Sequence, residues 1–165
     1  MAPVDLRRLL TTLVSVANET KLGNDVTVEA RFEGRGTADS FSVPGHDSRL
    51  GQVVSNLLSN AQSFSNAGGK VRIVCRRVRS EIEIVVDDDG PGIGEDALER
   101  IFERFYTDRP HQGFGQNSGL GLSISKQIIE AHSGRIWAEN RDGPADEEGN
   151  PTVAGARFVV RLPAP

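Results

Sequence analysis

The stretch Glu81-Ile82-Glu83-Ile84-Val85-Val86-Asp87-Asp88-Asp89-Gly90-Pro91-Gly92-Ile93-Gly94 decides the fold. It reads as a strand over 81–88 that runs without a break into an acidic, glycine-rich turn. Residues 70–78 form the other arm of a strand pair. There Val71, Ile73 and Cys75 alternate with Arg72, Val74 and Arg76, the period of a strand with one buried face. After the turn, Leu98, Ile101, Phe102 and Phe105 mark one face of a short helix. Residues 107–118 are polar, glycine-rich and aperiodic, and read as a mobile loop. Gly119-Leu120-Gly121 then opens a helix that ends near His132-Ser133-Gly134, where Gly134 suits a C-terminal cap. Residues 135–140 and 154–162 read as a last strand pair joined by a long acidic turn.

Toward the N-terminus, Leu6, Leu9, Leu10, Leu13, Val14 and Ala17 fall on one helical stripe, and Gly23-Asn24-Asp25 ends that helix. Val26, Val28, Ala30 and Phe32 alternate with Thr27, Glu29 and Arg31, as in a half-buried strand. Gly34-Arg35-Gly36 reads as a hairpin-like turn that returns residues 38–43 as a second strand. Asp47-Ser48 offers a helix N-cap, followed by Leu50, Val53, Val54, Leu57, Leu58 and Ala61 at helical spacing. The order of elements implies an α/β two-layer sandwich: one mixed, largely antiparallel sheet with helices on a single face. All 165 residues fit one domain.

Composition narrows the function. Nineteen Lys and Arg against 23 Asp and Glu give a net charge of -4, which argues against a general nucleic-acid binder and leaves room for a local anion site. The single Cys75 excludes an intramolecular disulfide and a cysteine-cluster zinc site, and reads as a small core hydrophobe in a reducing compartment. No apolar run approaches the roughly 18 residues of a membrane helix. The start, Met1-Ala2-Pro3-Val4-Asp5-Leu6-Arg7-Arg8, lacks the apolar core of a secretory signal. Trp137 reads as core, His132 as a structural residue whose charge suits a helix C-terminus, and Arg72, Arg76, Arg77 and Arg79 as a solvated outer face.

Three constellations carry chemistry. On the helix over 48–64, Arg49, Gln52, Asn56, Asn60 and Ser63 form a polar stripe beside the apolar one. Asparagine is a poor helix former, so two on one face argue for a task. An amide oxygen can ligate a hard cation such as Mg²⁺ while its NH₂ donates to phosphate. At the strand end, the glycines of Asp88-Asp89-Gly90-Pro91-Gly92-Ile93 let a flat ligand approach the backbone, and a carboxylate there can accept from the exocyclic amine of adenine. At the last helix start, Gly119-Leu120-Gly121-Leu122 presents free N–H groups suited to phosphate, without a Walker or dinucleotide pattern.

In order and spacing these constellations resemble the N, G1, F and G2 boxes of the sensor histidine kinase catalytic domain. That domain belongs to the superfamily it shares with gyrase, heat-shock chaperones and mismatch-repair ATPases. The residues that carry the likeness are Asn56-Leu57-Leu58-Ser59-Asn60-Ala61, Asp88-Asp89-Gly90-Pro91-Gly92-Ile93, Ile101-Phe102-Glu103-Arg104-Phe105-Tyr106 and Ser118-Gly119-Leu120-Gly121-Leu122-Ser123-Ile124. Glu130-Ala131-His132-Ser133-Gly134-Arg135-Ile136-Trp137 and the closing Gly155, Phe158, Leu162 and Pro163 fit as well. Gln62-Ser63-Phe64-Ser65 is similar to alphaproteobacterial envelope- and acid-sensing kinases.

The resemblance implies the Bergerat ATP-binding fold, with ATP and Mg²⁺ as cofactors. It assigns Mg²⁺ to Asn60 with Asn56 beside it, the adenine amine to Asp88, base stacking to Phe64, and the pocket's shape to Gly90, Gly92 and Ile93. Residues from about 94 to 118 form the ATP lid, with Gly119, Leu120, Gly121 and Leu122 by the phosphates. Two departures stand out: Ser63 where the family has Lys, and Thr107 after Phe105-Tyr106 where it often has Arg. Arg104 and Arg109 are the nearest replacement cations, with Tyr106 between them; Asn56, Asn60 and Arg104 make up the catalytic set. The implied activity is that of an ATP-dependent protein-histidine kinase. The γ-phosphate goes to a histidine on a separate dimerisation domain, and a response regulator is reached through the full-length protein. His46, His111 and His132 lack a phosphoacceptor context. The resemblance implies a monomeric cytoplasmic domain of a bacterial inner-membrane sensor, with the phosphoacceptor domain outside this chain. One rival is a superfamily ATP hydrolase, which needs a Glu where Asn56 stands. The other is a degenerate nucleotide-binding regulatory module without efficient phosphotransfer.

Overall fold

A computed structural model describes residues 2–20, 25–34, 41–104, 106 and 121–165. The elements in chain order are β1 (Ala2–Asp5), α1 (Leu6–Thr20), β2 (Thr27–Glu33), β3 (Ser42–Gly45), α2 (Asp47–Phe64) and β4 (Lys70–Val78). They continue with β5 (Glu81–Asp87), α3 (Glu95–Leu98), α4 (Gly121–Ala131), β6 (Arg135–Asp142) and β7 (Val153–Pro163). The main sheet has the order β2-β4-β5-β7-β6, and only β2 and β4 run parallel. It is the mixed, largely antiparallel sheet expected, with α1, α2 and α4 on one face.

The period-two pattern sets which side of the sheet is covered. Ile73, Ile84, Val86, Phe158 and Val160 point inward and are buried against Leu50, Val53, Val54, Leu57 and Leu58 of α2. Each such side chain contributes roughly 1.5–3 kcal/mol of burial. Cys75 lies in this layer, and burial pushes its thiol up to about 12, as a core hydrophobe requires.

The other face has no helix over it among the described elements, and the chain organises it as rows. Arg76, Glu83 and Arg161 stand directly opposite one another on β4, β5 and β7, and Glu83 accepts at 2.8 Å from each arginine. Arg72, Asp87, Arg157 and Glu139 form a second row, in which Arg157 grips Asp87 through two bonds of 2.7 and 3.0 Å. Between these rows run Val74, Val85, Val159 and Trp137. Arg72 and Arg76 are therefore paired rather than merely solvated. Trp137 is not core: it lies half-buried on this outer face, with Arg135 and Arg161 5.7 and 5.8 Å from its ring.

Four local expectations need correction. There is no β2–β3 hairpin: β2 pairs in parallel with β4, and β3 pairs with β1 in a separate antiparallel sheet. The alternation in β2 fades, since Val28 is buried while Ala30 is exposed. The N-cap of α2 is His46, with no side-chain cap bond, and Asp47 is already helical. At the end of α4, Ser133 rather than Gly134 takes the left-handed conformation, at φ 60°. Ser133 N–H bonds to Glu130 O and Gly134 N–H to Ile129 O, which closes the helix.

His132 is structural, through hydrogen bonds rather than charge. Its Nδ1 lies 2.8 Å from Ile128 O and its Nε2 accepts from the His46 N–H at 3.1 Å, so the ring carries its proton on Nδ1. This ties the end of α4 to the start of α2.

Candidate nucleotide-binding site

At the end of β5 the chain turns from Asp87, on the outer face, to Asp88, which is 2% exposed. Its Oδ1 accepts from the N–H of Gly90 at 2.9 Å and of Ala156 at 3.0 Å, so two main-chain donors aim the carboxylate. The Asp88 N–H bonds to Ala156 O at 3.0 Å, and its carbonyl accepts from Arg141 at 2.6 Å. The approach of β7 is close enough to require glycine: a Cβ on Gly155 would lie 1.9 Å from Asp88 O. Gly90 serves the same end on the other side, where a Cβ would stand 2.4 Å from Phe64 O. The turn thus rests directly on the last residue of α2.

Beyond it, Asn140 of β6 holds Ile93 at both ends of its amide. Oδ1 accepts from Ile93 N–H and Nδ2 donates to Ile93 O, each at 2.7 Å, just after Gly92. Asp89 binds Arg72 at 2.7 Å, Arg141 at 3.2 Å and the Lys70 N–H at 3.3 Å. Burial opposes ionisation of Asp89. The Arg72 and Lys70 bonds, with Arg141, outweigh that opposition and hold its carboxyl below the usual range, while Asp89 raises Arg72 in turn. Ser65 and Asn66, just past α2, bond to Asp89 N–H and O at 3.3 and 3.1 Å.

The second wall is α2. Asn56 is half-buried and faces the start of α4: its Nδ2 lies 3.3 Å from Gly121 O and 3.4 Å from Ser125 Oγ. Asn60 follows one turn on, also half-buried. Phe64 ends the helix, half-buried, at the Asp88 turn. Ser63 sits at the edge of the stripe and borders the groove between α1 and α2, beside Leu13, Val16 and Ala17. Leu122 is half-buried against the core. Arg104 is exposed in the turn after α3, and Tyr106 packs on the core with Arg100 4.7 Å from its ring. Arg109, Gly119 and Leu120 lie outside the described residues, as do Phe105, Thr107 and the expected mobile loop.

The structure therefore brings the strand-end turn, the asparagine stripe and the start of α4 together. It adds Asn140, Arg141, Ser125 and the contact role of Gly155. Only Gly155 had a sequence signal, as a glycine near the start of the last strand. The donor set suits Mg²⁺ held mainly by substrate phosphates and water, because two neutral amides supply oxygen without a cage. Among the described residues no group of three or more His, Cys, Asp or Glu could hold a metal alone.

Comparison with known proteins identifies the family. Residues 45–165 match the family of histidine kinase-, DNA gyrase B- and HSP90-like ATPases. The sensor protein ChvG of Agrobacterium fabrum (strain C58) is 46% identical over 167 residues, covering 99% of this chain and 27% of that protein. The likeness to alphaproteobacterial kinases is thereby met; the chain spans about a quarter of the length of the curated relatives it matches. A mycobacterial sensor histidine kinase, MprB, superposes with TM-score 0.79 at 27% identity, over 98% of this chain and 97% of that one. The histidine kinase ThkA, solved in complex with the response regulator TrrA, gives TM-score 0.73 at 27% identity, over 99% of this chain and 42% of that one. No helix among the described residues is long and apolar enough to cross a membrane. With the family match, the sequence identity and the superposition in agreement, the chain belongs to the histidine kinase-, DNA gyrase B- and HSP90-like ATPase family, as a sensor histidine kinase catalytic domain.

Proposed function

We propose that this domain binds Mg-ATP between the Asp88 turn and α2 and presents the γ-phosphate to a histidine on a separate dimerisation domain. The observation that carries the reading is Asp88: a buried carboxylate aimed by two main-chain donors, on a turn seated against the asparagine-bearing helix. Asp88 takes the adenine amine, Phe64 the face of the base, and Gly90, Gly92 and Ile93 the pocket floor. Asn60, with Asn56 beside it, holds Mg²⁺, which offsets phosphate charge when bound. Gly121 and Leu122 lie by the phosphates and Arg104 and Tyr106 flank the transferring group, roles that the family resemblance extends to Gly119, Leu120 and Arg109. The γ-phosphoryl passes from the bridging oxygen of ATP to a histidine ring nitrogen, and ADP leaves.

Hydrolysis is disfavoured because Asn56, where a general base would stand, is an amide whose NH₂ is engaged with Gly121 O. The ThkA–TrrA complex supports a response regulator as the downstream partner of the full-length protein. Relatives named as sensor kinases support a cytoplasmic domain of an inner-membrane protein. The test is phosphotransfer. The chain, mixed with labelled ATP, Mg²⁺ and the phosphoacceptor domain of its parent kinase, is expected to place acid-labile phosphate on that domain and none on itself. Labelling of His46, His111 or His132 would sink the reading, and so would nucleotide binding without transfer, which is the regulatory-module alternative.

A further inference from the structure

Ser125 is fully buried in α4, on the side that meets Asn56. Its hydroxyl donates to Gly121 O, one turn back, at 2.8 Å. With its hydrogen so committed, Oγ can only accept from Asn56 Nδ2 at 3.4 Å, and Gly121 O, a carbonyl, can only accept from the same NH₂ at 3.3 Å. Three groups thus close a ring in which the carbonyl accepts, the NH₂ donates and the hydroxyl does both. An amide turned over would set its oxygen against the Gly121 carbonyl, and against Ser125 Oγ for as long as that hydroxyl donates to Gly121 O. The ring therefore fixes the direction of Asn56 as well as its place: NH₂ toward α4, Oδ1 away from it.

We propose that Ser125 is a positioning residue that orients the Asn56 amide so that its oxygen, not its NH₂, is offered to the Mg²⁺–phosphate group. A serine that merely back-bonds to its own helix would satisfy itself without touching Asn56. The second contact across the α2–α4 interface is what such a serine lacks. The inference rests on the nucleotide reading above and names how one of its residues is held.

Two measurements on the intact chain test it. The first is calorimetry of ATP with and without Mg²⁺, and of adenosine, on wild type and Ser125→Ala. Alanine is smaller and favours helix, so the fold is retained, and an unchanged unfolding midpoint checks this. The gain in ATP affinity on adding Mg²⁺ should shrink about three- to tenfold in Ser125→Ala, with adenosine binding unchanged. The second is the side-chain amide resonance of Asn56 in ¹⁵N-labelled, nucleotide-free protein, which should move in Ser125→Ala. Unchanged Mg²⁺ dependence in the variant, equal losses for adenosine and ATP, or an unmoved Asn56 amide would each overturn this inference alone. A wild type that binds no ATP would overturn the nucleotide reading and this inference with it.

Discussion

On the strand side of the site, Asp88 is held through the main chain: two N–H groups on one carboxylate oxygen, and β7 lying close against its carbonyl. On the helix side, Asn56 is held by a side chain and one carbonyl at longer range, 3.3 and 3.4 Å, from the first residues of α4. The two walls should therefore fail differently. A wall held by backbone resists loss of neighbouring side chains but cannot tolerate added atoms where chains approach. A wall held by side chains does the reverse: it accepts bulk and loses direction when one polar group goes.

The hardest test of the strand wall is Gly155→Ala, because the new Cβ would meet a carbonyl oxygen of the main chain and not a flexible side chain. A loss of about 3 kcal/mol or more in denaturant unfolding is expected. An unchanged midpoint would show that β7 does not press on Asp88. Next in size is base selectivity. Asp88→Asn keeps an oxygen for the Gly90 and Ala156 donors and turns the other edge of the group from acceptor to donor. Wild type should prefer ATP over GTP by about 30-fold, and the variant should erase or reverse that preference in calorimetry. Equal affinities in wild type would remove the adenine assignment.

The smallest effect concerns Asp89, whose carboxyl is held below its usual range. A lowered folded value means that its stabilisation is complete well above the ordinary carboxylate pKa of about 3.9 and is lost as pH falls through the lower folded value. With 36% of the side chain exposed, that contribution is under about 1 kcal/mol. Asp89→Asn should be less stable than wild type at pH 7, and the difference should close as pH falls below about 4. A gap that persists at low pH would mean that the charge on Asp89 is not what ties the turn to Arg72.

Much of this was legible in the sequence because it is local. Strand alternation placed β4, the apolar run into Asp87-Asp88-Asp89 placed β5, and helical spacing placed α1 and α2 and put Asn56 and Asn60 on one stripe. What was not legible depends on contacts between distant segments. The turn signal at Gly34-Arg35-Gly36 marks a change of direction but not a partner. Val28 found Val71 in a parallel pairing that no short-range pattern encodes. Asn140 and Arg141 read as ordinary polar residues near a strand end. Their task appears only when β6 lies across from Ile93 and Asp88. Ser125 was invisible for the same reason, since its hydroxyl matters only through Asn56.

The outer face of the sheet has a consequence for solubility. Val74, Val85, Val159 and Trp137 form a band of β-branched and aromatic side chains across four neighbouring strands, the composition that templates stacking of one sheet on another. On one side Arg72, Asp87, Arg157 and Glu139 alternate in sign from strand to strand; on the other Arg76, Glu83 and Arg161 alternate until Arg161 meets Arg135 on β6, and both rows are hydrated at their exposed ends. A second sheet laid on the band would have to strip water from both rows at once. The charged rows thus act as gatekeepers against self-association.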